Sequence, residues 1–132
     1  NPHIPCFIYN MNGKAPMEIK KLSSQIDIFP TLFGYLNWSY ETNFFGKDIS
    51  KMRFLDERAF IGNHRKLVLL KGRRLTVLET QKKHASYQWN KKENLLIPSK
   101  TDSKLLQEAI GHYQSAFELF TNGEIKLKTI KK

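Results

Sequence analysis

The sequence predicts a mixed fold of α/β class with an α+β body. A leading strand and a helix come first, then a small antiparallel meander of three or four strands, then a long C-terminal helix. Three observations carry this. Residues 4–9 (IPCFIY) are apolar on both alternating faces. Residues 58–89 hold four short runs of strand-forming side chains separated by turn residues. Residues 102–121 place apolar side chains at helical spacing and stop at Asn122-Gly123.

The elements follow in order. In the leading run Ile4, Cys6 and Ile8 point one way and Phe7 and Tyr9 the other. A strand apolar on both sides belongs inside a sheet covered on each face. Cys6 is the chain's one cysteine, so no internal disulfide can form, and its apolar surroundings predict a buried thiol. Residues 10–16 (NMNGKAP) read as a turn, punctuated by Gly13 and Pro16.

Residues 23–37 (SSQIDIFPTLFGYLN) read as a helix start. With Asp27 as the cap, Pro30 falls in the first turn, where its missing N–H costs no helical bond. Ser24 could instead add a short preceding turn. Phe29, Leu32, Phe33 and Leu36 then form one apolar stripe predicted to face the core. Residues 37–48 are loop-like.

The predicted strands are Arg58–Ile61, Lys66–Leu70, Arg74–Glu79 and Ala85–Trp89, with Lys71-Gly72-Arg73 as a tight hairpin. Residues 91–100 read as a polar connection interrupted by Leu95-Leu96-Ile97-Pro98. The closing helix starts at Thr101 or Asp102, and Leu106, Ile110, Tyr113, Phe117 and Phe120 form its predicted core stripe. The tail, 124–132, is basic and predicted to fray.

Composition fits a globular chain of one domain: 132 residues, 40% hydrophobic and 26% charged. No run approaches the ~20 apolar residues of a membrane span. The opening Asn1-Pro2-His3, without a methionine, suggests a piece of a longer protein. The formal net charge is +10, from 22 basic and 12 acidic residues. That balance attracts polyanions, but the cations are scattered along the chain, which favours a solvated lysine-rich surface.

Motifs of chemistry are sparse. The four histidines (His3, His64, His84, His112) include no pair three to five apart, so no helical or finger-type metal pair exists. His112 reads as a helix-surface residue, His64 as a turn residue, and His84 as one among lysines. There is no glycine-rich phosphate loop and no nucleophile elbow. Asp56 and Glu57 are adjacent carboxylates explained by solvation. Tyr87 and Trp89 beside Lys91-Lys92 could stack on bases, although packing on the meander is the commoner role.

Residues 23–37, followed by FFGKDI at 44–49, resemble the C-terminal half of sulfatase-family proteins of the alkaline phosphatase superfamily. In that family a loop leads into a helix written Asp, two apolar residues, Pro-Thr and leucines, with Phe-Gly-x-Asp/Asn-Leu/Ile after it. The matching residues are Asp27, Pro30, Thr31 and Leu32, then Phe45, Gly46, Asp48 and Ile49. His3-Ile4-Pro5 before an apolar run is similar to the strand after the family's metal-binding Asp-His pair. Ser24-Gln25-Ile26-Asp27, residues 58–63 (RAFIGN) and residues 113–123 (YQSAFELFTNG) look like the lipoteichoic acid synthase-like, phosphoglycerol-transferase-like branch.

The resemblance implies that residues 1–132 form one C-terminal subdomain of a larger enzyme. Residues 1–50 would be the strand, loop and helix of an alkaline-phosphatase-like sheet, 51–100 the meander, 101–123 the closing helix and 124–132 the tail. It implies a membrane-anchored, extracytoplasmic parent acting on phosphate or sulfate esters with a divalent metal (Mn, Mg, Zn or Ca). The nucleophile and metal ligands would lie upstream, so no catalytic, cofactor-binding or metal residue is carried onto this chain, and Asp27 is assigned a structural role. The implied partners are the upstream catalytic part of the same polypeptide and, for the parent, anionic lipid or the ester substrate. The alternative is a free-standing basic nucleic-acid-binding module.

Overall fold

The computed structural model describes residues 4–9, 15–41, 43 and 45–125. The expectations for His3, for residues 10–14 of the first turn and for residues 126–132 of the tail lie outside the described residues. The architecture is α+β. A short helix, α1 (Ile28–Tyr35), precedes a sheet of β1 (Ala59–Gly62), β2 (Lys66–Lys71), β3 (Arg74–Glu79), β4 (His84–Asn90) and β5 (Leu95–Pro98), and α2 (Ser103–Thr121) closes the chain. The strands pair antiparallel in sequence order, β1-β2-β3-β4-β5.

The sheet has five strands, one more than the most the sequence predicts. Residues 95–98, read as a connection, pair with β4, Tyr87 opposite Pro98 and Asn90 opposite Leu95. Proline is tolerated there because β5 lies at the sheet edge, where an absent N–H breaks no second ladder. The turn before it is local chemistry: Asn90 Oδ1 accepts from the backbone N–H of Lys92 and Glu93.

Alternation along the strands sorts their side chains onto two faces. On one, Leu69 is fully buried against Leu105 and Ala109 of α2, with Phe60 and Leu78 around them. On the other, Ala59, Leu70 and Leu75 pack with Leu22, Val68, Val77, Tyr87 and Trp89. Burying one leucine fully is worth ~1.5–3 kcal/mol. Asp102 starts α2: its carboxylate accepts from Leu105 N at 3.1 Å and pairs with Arg74 at the start of β3. The Leu105 N–H foremost, with Arg74 adding to it, holds this carboxyl below the usual aspartate range.

Both helices face differently from the expectation. In α2 the buried positions are Leu105 and Ala109, continued by half-buried His112, Ala116 and Leu119. The predicted stripe lies one residue on, about 100° round the helix. Leu106 in that stripe is half-buried, but Tyr113, Phe117 and Phe120 are 56%, 59% and 75% exposed. Ala109 explains the rotation, since a small side chain lets the helix approach Leu69 closely.

In α1 the inward residues are Pro30 and Thr31, next to buried Asp27. Phe29 and Leu36 of the predicted stripe are exposed, while Leu32 and Phe33 are half-buried. Phe33 instead meets Phe29, Trp38 and Tyr40 in a local aromatic cluster, with centroids 6.2, 5.8 and 5.0 Å away.

Residues 4–9 form no strand ladder, and Ile4, Phe7 and Tyr9 are exposed. Cys6 is exposed as well, contrary to the expected buried thiol. A strand exists only by pairing with a neighbour, and the five-stranded sheet takes none of its pairing from this segment.

Candidate functional site

The most constrained region joins the two motif halves, residues 23–37 and 44–49, at Asp27. A 3₁₀ turn, Gln25–Asp27, enters α1, with Ser24 as its cap. Asp27 therefore does not cap α1 through its side chain. Its carboxylate reaches back to the Ser24 N–H at 2.9 Å and hydroxyl at 3.3 Å. The same Oδ2 accepts from Arg58 Nη1 at 3.3 Å, while Oδ1 accepts from Arg58 Nη2 at 3.1 Å and from Lys47 N at 2.8 Å.

Asp27 is fully buried and Arg58 is 2% exposed. A carboxylate offers about four lone-pair directions, and this one is saturated by donors from three separate segments. Arg58 Nη2 also donates to the Phe45 carbonyl at 2.8 Å, and its guanidinium lies 5.4 Å from the Phe60 ring centre. Only its Nε lacks a partner.

Neighbouring bonds extend the joint. Thr31 Oγ1 donates to the Asp27 carbonyl at 2.6 Å and accepts from Ile49 N at 3.0 Å. Lys21 Nζ donates to the carbonyls of Ile49, Ser50 and Met52. The 45–49 loop lies so close to the first helical segment that a side chain at Gly46 would run into backbone and one at Gly34 would have to displace the Asp48 carboxylate. A Cβ on Gly46 would stand 2.0 Å from the Ile26 carbonyl oxygen, and one on Gly34 2.2 Å from Asp48 Oδ2. Both are inside any real carbon contact. Here Gly46 of the FFGKDI half meets the residue before Asp27 of the SSQID half.

The adjacent carboxylates read as merely solvated are half-buried and each holds a partner. Glu57 accepts from the Leu22 N–H at 3.1 Å. Asp56 pairs with Arg53 and Lys47. The bond from Arg53 keeps the Asp56 carboxyl below the usual range.

His112 is not a surface residue. It is half-buried, edge-on to Phe60 at 4.9 Å and to Phe45 at 6.1 Å. His64 and His84 are exposed. Tyr87 and Trp89 are half-buried and pack on the sheet core, and Trp89 Nε1 donates to Asn94 Oδ1.

A divalent cation does not fit the described side chains. Among the described residues no three His, Cys, Asp or Glu groups come close enough to hold one. The buried carboxylate oxygen without a hydrogen-bond partner, Asp48 Oδ2, has Lys51 Nζ 3.8 Å away rather than a second acid. The joint can therefore brace the chain, and its Ser24 and Thr31 hydroxyls and Lys21 ammonium are all engaged in hydrogen bonds within it. The sequence placed Arg58 only at the start of a predicted strand and of the 58–63 segment, and did not assign it this bracing role.

No protein-family model matches the sequence, and no curated protein matches it. Among solved structures, the chain is similar to a protein of the alkaline phosphatase superfamily from Vibrio parahaemolyticus, with a TM-score of 0.75 and 22% identity. The match covers 82% of this chain and 27% of that one, so the fold is shared with about a quarter of the larger protein. Among the described residues no helix is long and apolar enough to cross a membrane.

Proposed function

We propose that this chain is the C-terminal structural subdomain of a metal-dependent enzyme of the sulfatase family. The parent would be anchored to a membrane, outside the cytoplasm, and would transfer or hydrolyse phosphate esters of the phosphoglycerol type, or sulfate esters. The preceding part of the polypeptide would supply the nucleophile and the metal ligands. Bound there, the metal would orient the ester and stabilise charge on its oxygens.

The observation that carries this reading is the outward apolar surface of both helices. Tyr113, Phe117 and Phe120 on α2, and Phe29 and Leu36 on α1, are large, apolar and exposed. Exposed apolar stripes on helices of this kind mark interfaces. The fold match supports the same reading, because nearly three quarters of the similar protein lies beyond the aligned part. In this role the Asp27 joint fixes α1 against the 45–58 segment and so sets the angle at which the α1 stripe is presented.

The test is an ester-hydrolysis assay with Mn²⁺, run on this chain and on the encoded protein that includes the residues preceding it. Activity confined to the longer protein, and lost on chelation, supports the proposal. Turnover by the 132-residue chain alone would contradict it.

A further inference from the structure

We propose that His112 is a pH-sensitive latch: neutral, it holds the middle of α2 against β1 and the 45–47 loop, and mild acidification loosens the helix there. The idea goes beyond the reading above and does not depend on which ester the parent handles.

The imidazole is caught between two phenyl rings from two different segments. Phe60 of β1 meets it at 4.9 Å and Phe45 of the loop at 6.1 Å, both with ring planes 80° apart. The Phe60 ring is already shared, because the Arg58 guanidinium sits 5.4 Å from its centre.

The charges facing His112 come from every element packed against it. Glu108 is one turn earlier on α2, Lys71 is on β2, Arg58 leads into β1, and Lys47 is in the loop. Three cations and one carboxylate thus face it, with Arg58 also paired to Asp27 and Lys47 to Asp56. The Glu108 carboxylate is engaged already, since Lys71 Nζ lies 2.9 Å from each Glu108 oxygen. An imidazolium would enter this space as a fourth cation with its hydration partly stripped.

Burial first, and then Arg58, Lys47 and Lys71, hold His112 below its ordinary 6.5; Glu108 opposes them. The unfolded or detached chain takes up the proton near 6.5, the packed chain only at lower pH. Stability from this contact is therefore complete above 6.5 and is lost as the pH falls below it. The loss falls on α2, whose middle covers Leu69 and Phe60. The Asp27 joint makes no hydrogen bond to His112, and the two share the 45–47 loop.

The experiment is NMR of the whole chain between about pH 8 and 5, following the His112 imidazole and the Phe60 ring, with a thermal melt at each pH. The expected result is titration of His112 below 6.5, movement of the Phe60 signals with it, and a melting temperature that falls on acidification. His112→Phe keeps an aromatic between the two rings and should flatten that fall. Lys47→Gln removes a facing cation without touching either ring contact, and should move the His112 titration up toward 6.5. Titration of His112 at or above 6.5 would overturn the proposal. So would an acid-side fall as steep in His112→Phe as in the parent, or a His112 titration unmoved by Lys47→Gln.

Discussion

Around Asp27 the chain is held by directed bonds; around Leu69 it is held by shape. The Asp27 joint draws five donors from Ser24, Lys47 and Arg58 onto one buried carboxylate. The Leu69 core seats Leu69 of the sheet under Leu105 and Ala109 of α2, apolar against apolar. The two regions should fail differently. A directed joint that loses one partner strands a buried charge, and that costs more than the bonds it contributed. An apolar core that loses a side chain loses its transfer energy and keeps a cavity, in proportion to volume.

The largest expected effect is therefore at the joint. Asp27→Ala should lower stability by about 3–5 kcal/mol, because Arg58 remains buried with no counter-charge. Urea or thermal unfolding measures this directly. Removing both charges sharpens the point: Asp27→Ala with Arg58→Leu should cost clearly less than the two single changes added together, since the stranded ion is gone. Additive losses would show that the two groups do not act as a unit.

Leu69→Ala should cost about 2–5 kcal/mol, with a cavity beneath α2. Its sharper signature is where the loss falls. Amide exchange should rise first along α2 and β2, while the Asp27 joint keeps its protection. A uniform rise across both regions would join what the comparison separates.

A smaller effect of opposite sign is expected at Thr76. Its hydroxyl and that of Ser86 are buried on paired strands, and neither has a hydrogen-bond partner. Thr76→Val keeps the shape and removes the orphaned group, so stability should rise by roughly 1 kcal/mol. A lower melting temperature would mean that the hydroxyl has a partner in solution.

Legibility in the sequence divided along the same line. The four predicted strands and α2 were readable because their signals are local: alternation, Gly72 in a tight hairpin, Asp102 before an apolar period. Strand β5 was not, since Leu95–Pro98 is short, ends in proline and follows two lysines; only pairing with β4 makes it a strand. The Asp27–Arg58 bond spans 31 positions and leaves no periodic trace.

The facing of the helices was the instructive error. Periodicity finds the heavier apolar stripe, and in α2 that stripe holds Tyr113, Phe117 and Phe120. Packing within this chain instead selects the lighter one, Leu105 and Ala109, because the small residue admits the sheet. On the proposed reading the second stripe serves a partner, and one sequence pattern does not distinguish which stripe packs inside the same chain.

The account rests on the second stripe belonging to something other than this chain. The most direct measurement is the thermal stability of Tyr113→Ser/Phe117→Ser/Phe120→Ser, made in the 132-residue chain and in the longer encoded protein. The account predicts a melting temperature unchanged or raised in the short chain, as for surface positions that change stability by about 0.5 kcal/mol or less, and a clear loss in the longer protein. A loss of several kcal/mol in the short chain, or none in the longer one, would contradict it.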